Sequence, residues 1–195
     1  RSRLGGRARG QGDFAAADGY LAESLEIARS LRDKAGVGNA RFEQGNLANS
    51  RGDLATAATL YAEALTIRRE IEDRRGVSLT LHNLAVVYQS RGDGVEARRL
   101  FEEALDLHRE LGNATMEAYT LNGLTDIVIH LGDLDAAQRY LERGLAIQRQ
   151  LGNKDGIGFS LRQLGEVATR RGDAARAKAL LAEALKLFQA IGDSS

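Results

Sequence analysis

The chain has 195 residues, and its 27 Lys and Arg balance 27 Asp and Glu, so the formal net charge is zero. That balance excludes the broad basic footprint expected of a nucleic-acid binder or of a protein held on an anionic membrane. Cysteine is absent, which removes disulfides, thiol nucleophiles and thiolate metal sites, and no run of about 18 apolar residues is present to span a bilayer.

Proline is also absent, while 22 residues are glycine, a composition that favours helices joined by short glycine turns. The opening Arg1-Ser2-Arg3 does not read as a secretory signal. The first unit, 1–33, enters partway along a first helix that Gly5, Gly6 and Gly10 weaken. Gly12-Asp13 is its expected turn, and Ala17, Leu25 and Ile27 mark its second helix.

Asp33 then stands as N-cap of the next first helix, and the pattern repeats every 40 residues in units 34–73, 74–113, 114–153 and 154–193. Gly-Asp recurs at 52–53, 92–93, 132–133 and 172–173. Ala57, Ala97, Ala137 and Ala177 keep the same interval, as do Leu65, Leu105, Leu145 and Leu185. Asp73, Asn113, Asn153 and Asp193 repeat the first cap. Within the third unit, Leu81, Leu84, Ala85 and Tyr88 and then Ala97, Phe101, Ala104 and Leu105 fall at helical spacing on either side of Gly92-Asp93. Asp93 and Glu96 have the spacing of a capping box. The sequence therefore predicts an all-α array of helix, tight turn, helix and short loop.

The small residues Gly45, Ala85 and Gly165 on first helices, with Ala97, Ala104 and the bulky Tyr61 and Phe101 on second helices, resemble the tetratricopeptide repeat (TPR) family. The resemblance covers essentially the whole chain and implies a right-handed α-α superhelix of antiparallel helix pairs, a single TPR array over 1–195. The commonest TPR unit has 34 residues and a proline after its second helix. The 40-residue, proline-free form here is similar to the repeats of Pins-type spindle adaptors and of bacterial multidomain regulators with an NTPase core. Gln44 and Thr125 depart from the family pattern and are expected to loosen packing locally. Lysine occurs only at 34, 154, 178 and 186 against many arginines, which points to a GC-rich bacterial genome. Both ends read as cut ends of a larger protein.

Four patterns invite chemical readings. His82, His108 and His130 have no ligand spacing and read as ordinary surface histidines, so no metal is expected. Arg-Gly-Asp at 51–53, 91–93 and 171–173 reads as turn and cap rather than as an adhesion signal. The glycine-rich 5–12 lacks the Gly-Lys-Ser/Thr and the preceding strand of a phosphate loop. Glu102, Glu103 and Glu183 read as arginine-paired solvent-facing groups. No nucleophile, base and orienting group converge, so no enzyme and no cofactor are expected.

What remains is surface. TPR first helices line a concave groove, so the resemblance implies a partner-binding face made of Asn39, Phe42, Asn46 and Asn49; Leu79, His82, Asn83, Val86 and Gln89; Tyr119, Asn122, Asp126 and Ile129; and Phe159, Arg162, Glu166 and Arg170. Asparagine amides suit a peptide backbone, and Phe42, Tyr119 and Phe159 suit apolar anchors. Asn46 and Asn83 match the asparagines of the carboxylate clamp of chaperone-binding TPR domains. Phe42, Tyr119 and Gly123 stand where its basic residues belong, so a clamp is not expected. The expected partner is a protein or peptide in the cytoplasm, with no nucleic acid and no membrane. The competing expectation is a structural spacer that self-associates weakly through uncapped ends near Phe188.

Overall fold

The structure, a computed structural model, describes residues 2–192, with side chains from residue 14 onward. The described residues form nine α-helices: α1 (Ser2–Ser30), α2 (Lys34–Ser50), α3 (Leu54–Glu70), α4 (Arg74–Ser90), α5 (Gly94–Glu110), α6 (Ala114–His130), α7 (Leu134–Gln150), α8 (Lys154–Arg170) and α9 (Ala174–Gly192). None is long and apolar enough to cross a membrane. Two compact units divide the chain, Arg1–Ala104 (unit 1) and Leu105–Ser195 (unit 2), the boundary falling inside α5.

The punctuation read from sequence is built as expected from Asp33 to Asp173, while the expected cap Asp193 lies outside the described residues. Gly52, Gly92, Gly132 and Gly172 have φ between 77° and 83°, the left-handed region that closes a helix without a Cβ clash. Each following aspartate caps the next helix through its side chain: Asp53 Oδ1 accepts from Thr56 N at 3.1 Å and Asp133 Oδ1 from Ala136 N at 2.9 Å. Asp33, Asp73, Asn113 and Asn153 do the same for α2, α4, α6 and α8. The three Arg-Gly-Asp triplets are thus turn and cap. The capping box at Asp93 is only half made. Asp93 Oδ1 accepts from Glu96 N, but the Glu96 carboxylate turns to Arg99 at 2.6 Å.

One expected turn does not form. Helix α1 runs unbroken from 2 to 30, through Gly12-Asp13 and through the glycine-rich 5–12. The residues before Gly12 carry no apolar stripe that would reward folding back, so continuing the helix satisfies the backbone at less cost.

Packing follows the small-to-large pairing of the two helix types. A Cβ on Gly45 would stand 2.8 Å from the Tyr61 ring, and one on Gly165 would stand 2.7 Å from Leu181, so these glycines set how closely each pair approaches. In unit 1, Tyr61 and Phe101 are buried with Leu81, Leu84 and Ala85. In unit 2, Val128, Ala137, Leu141, Leu161, Leu164 and Val167 form the core. Thr125, expected to pack poorly, is buried, and its hydroxyl donates to Leu121 O at 2.8 Å, which removes the cost of an unsatisfied polar group.

Candidate partner-binding faces

Residues three, four and seven apart on a helix share one face, so the expected contact residues line one side of each first helix. All seventeen are exposed or half-buried; none is enclosed. What they do differs between the units.

In unit 1 five of the nine are bound into the fold. Arg68, on α3, is buried, and Nη1 donates to Gly76 O at 3.0 Å and to Thr80 Oγ1 at 2.7 Å. Its Nη2 donates to Asn39 Oδ1 at 2.9 Å, and its guanidinium lies 4.4 Å over the Phe42 ring. Burial lowers the Arg68 pKa, opposed by the charges of Asp73 and Glu43. Phe42 also packs on Tyr61, ring centres 5.6 Å apart. The Tyr61 hydroxyl donates to Asn46 Oδ1 at 2.6 Å, and Asn83 Nδ2 donates to the same oxygen at 3.1 Å. Burial pushes the Tyr61 phenol up to about 12, against a smaller opposing effect of the Asn83 amide. His82 meets Phe101 edge-on at 5.3 Å. Leu79 is partly open to solvent, and Asn49, Val86 and Gln89 are half-buried. The two asparagines of the clamp pattern therefore bond to each other.

Unit 2 is more open. Tyr119 is 56% exposed and Phe159 is half-buried, with the Arg162 guanidinium 5.3 Å over its ring. Glu166 and Arg170 pair at 2.8 Å, and Ile129 leans on the core. Asp126 is reachable by solvent, yet loss of water around its carboxylate raises its pKa, opposed by the charge of His130. His130 Nδ1 lies 2.7 Å from the Asp126 main-chain oxygen, within bonding distance as a donor.

The equivalent positions 28, 68, 108 and 148 hold Ala28, Arg68, His108 and Gln148, and all four are buried. His108 is thus not a surface histidine. Burial lowers its pKa, with the Glu117 charge opposing. Glu117, itself buried, accepts from Arg109 Nε at 3.2 Å and Arg143 Nε at 2.9 Å. The mixed chemistry of this column hid its burial. The regular 40-residue interval, which places it one turn beyond the buried Leu65 and Leu105, was the available signal. The surface carboxylates behave as expected: Glu102 pairs with Arg98, Glu183 with Arg149, and Glu103 with Arg69 and Arg99. Among the described residues, no group of three or more His, Asp or Glu could hold a metal ion.

The family model described as tetratricopeptide repeat matches residues 76–150 and 118–190, together more than half of the chain. The chain belongs to the tetratricopeptide repeat family. Its fold is the all-α helical-repeat superhelix of TPR proteins, a scaffold for protein–protein interaction. BtubC (BKLC) from P. vanneervenii is 26% identical, with a TM-score of 0.87 over 94% of this chain and 76% of its own. The apo form of RapI is 14% identical with a TM-score of 0.83, covering 94% of this chain and 67% of its own. A signal transduction ATPase with numerous domains (STAND) from Pyrococcus horikoshii, which has a TPR sensor, is 20% identical with a TM-score of 0.78. That match covers 89% of this TPR chain and 28% of the ATPase. No protein of curated function matches the sequence.

Proposed function

We propose that this TPR chain binds a peptide or helix of a partner protein along its first-helix faces, as the cytoplasmic sensor or scaffold arm of a larger bacterial signalling regulator. The observation that carries the reading is the solvent access of all seventeen contact residues, including the large aromatic Tyr119 at 56% exposure. A STAND protein uses TPRs as its sensor, and a Rap protein of the same fold has been solved in complex with competence and sporulation factor; both support it. No catalytic role, cofactor, nucleic acid or membrane enters this proposal.

The test is affinity capture with the wild-type chain, a Tyr119→Ala, Phe159→Ala double variant, and Tyr20→Ala as an exposed aromatic control off this face. The double variant is expected to lose specific partners that the control retains. Equal capture by all three would sink the reading.

A second reading, self-association, is favoured by α9. Leu181, Leu185 and Phe188 are 42%, 58% and 39% exposed, whereas Leu141, Leu145 and Gln148 at the same repeat positions are at most 7% exposed. It predicts an oligomer that grows with concentration and that Phe188→Asp disperses. A sedimentation profile that stays monomeric at high concentration removes it.

A further inference from the structure

Three consecutive contact residues of α6 make no bond to the rest of the described chain through their side chains. Tyr119 has neither a ring contact nor a hydroxyl partner, Asn122 leaves its amide free, and the Asp126 carboxylate has no ion pair or hydrogen bond among the described residues. At the same positions of α2, Asn39, Phe42 and Asn46 are held by Arg68, Tyr61 and Asn83. The neighbouring second helix explains the contrast. Tyr61 and Arg68 reach out of α3 to those residues, whereas α7 carries Leu141 and Gln148 at the equivalent places. Leucine has no polar end, and a glutamine side chain is shorter than that of arginine.

Resting on the reading of this chain as a partner-binding module, we propose that the α6 face recognises a segment carrying a Lys or Arg for Asp126 and an apolar side chain for Tyr119. The two points are seven residues apart on the helix, about 10 Å along its axis. An extended segment covers that span in about three residues. Asn122 lies between them, where its amide can bond the segment's backbone. Charge complementarity selects the base. The Asp126 carboxylate has lost part of its hydration, which the nearby His130 charge opposes without outweighing, and it has no ion pair among the described residues, so an incoming ammonium or guanidinium supplies a direct partner.

The experiment is selection of phage-displayed random dodecapeptides on the full wild-type chain, on Asp126→Asn and on Tyr119→Ala, each checked by thermal melting. Wild type should enrich a basic residue about three positions from an apolar one. A synthetic peptide of that kind should bind Asp126→Asn about tenfold more weakly or worse. The same peptide with norleucine for its basic residue should bind both proteins alike. Because asparagine is nearly isosteric with aspartate, an unchanged melting temperature assigns the loss to recognition. Enriched peptides without a basic bias, or with affinity unmoved by Asp126→Asn, overturn the proposal and leave the interaction-module reading standing. Peptides lost on Leu79→Ala but not on Tyr119→Ala place recognition in unit 1 and also overturn it. Failure of every pool to enrich overturns both.

Discussion

In unit 1, Asn46 Oδ1 takes hydrogen bonds from Tyr61 and Asn83 while Phe42 is held between Tyr61 and Arg68. In unit 2, the residues at the same repeat positions, Asp126 and Asn122, have side chains that bond to none of the described residues. A repeat position therefore does not carry a fixed role. The second helix behind it decides whether its side chain serves packing or stays available to a partner. Gly45 makes room for the Tyr61 ring, so its hydroxyl reaches the face, whereas Thr125 and Leu141 fill the corresponding space in unit 2 without projecting a polar group.

The sharpest break of this contrast is a pair of truncations. Phe42→Ala should cost about 3 kcal/mol in urea unfolding, because it removes a ring packed on Tyr61 and under a buried guanidinium. Tyr119→Ala should change stability by less than about 0.5 kcal/mol. Similar losses at both would show that the α6 face is as structural as the α2 face.

Next in size is Gly45→Ala, expected to cost about 2 kcal/mol because the new methyl meets a buried, hydrogen-bonded ring. Gly165→Ala should cost less than half as much, since the side chain it meets, Leu181, is 42% exposed and free to turn aside. Equal costs would mean that Leu181 is as fixed as Tyr61.

His108 gives unit 2 an acid-sensitive point. Its pKa in the fold is depressed by burial below the ordinary value of about 6.5, so at pH 7.5 folded and unfolded forms are both neutral there. As pH falls through about 6.5 the unfolded chain takes a proton that the folded one resists, and stability falls by up to about 1.4 kcal/mol per pH unit. His108→Gln, which copies the residue at the equivalent position 148, should flatten melting temperature against pH between 7.5 and 5. An unchanged slope would reject the buried neutral imidazole.

The smallest effect lies in the loops between repeats. Unit 1 places Arg32 and Glu72 at φ of 55° and 57°, where unit 2 has Gly112 and Gly152 at 65°. Glu72→Gly should stabilise by about 0.5 kcal/mol, the relief of left-handed strain outweighing the added chain entropy, and Gly112→Glu should destabilise by a similar amount. Chemical denaturation curves of the two variants test both signs.

Helix count beyond residue 33, turn glycines, N-caps and the buried Tyr61 and Phe101 were legible in the sequence. Each depends on a backbone conformation or an apolar period that one residue type, repeated every 40 positions, states locally. The unbroken α1 was not legible, since Gly12-Asp13 turns a chain only when the preceding segment has an apolar face to fold back. Tertiary structure alone decided that His108, Arg68 and Gln148 are buried, because burial depends on which helix lies against them and not on their own polarity. It also decided which of the expected contact residues are already bonded. That depends on whether a side chain from the adjoining second helix reaches them, as Tyr61 and Arg68 do on α3 and as Leu141 and Gln148 do not on α7.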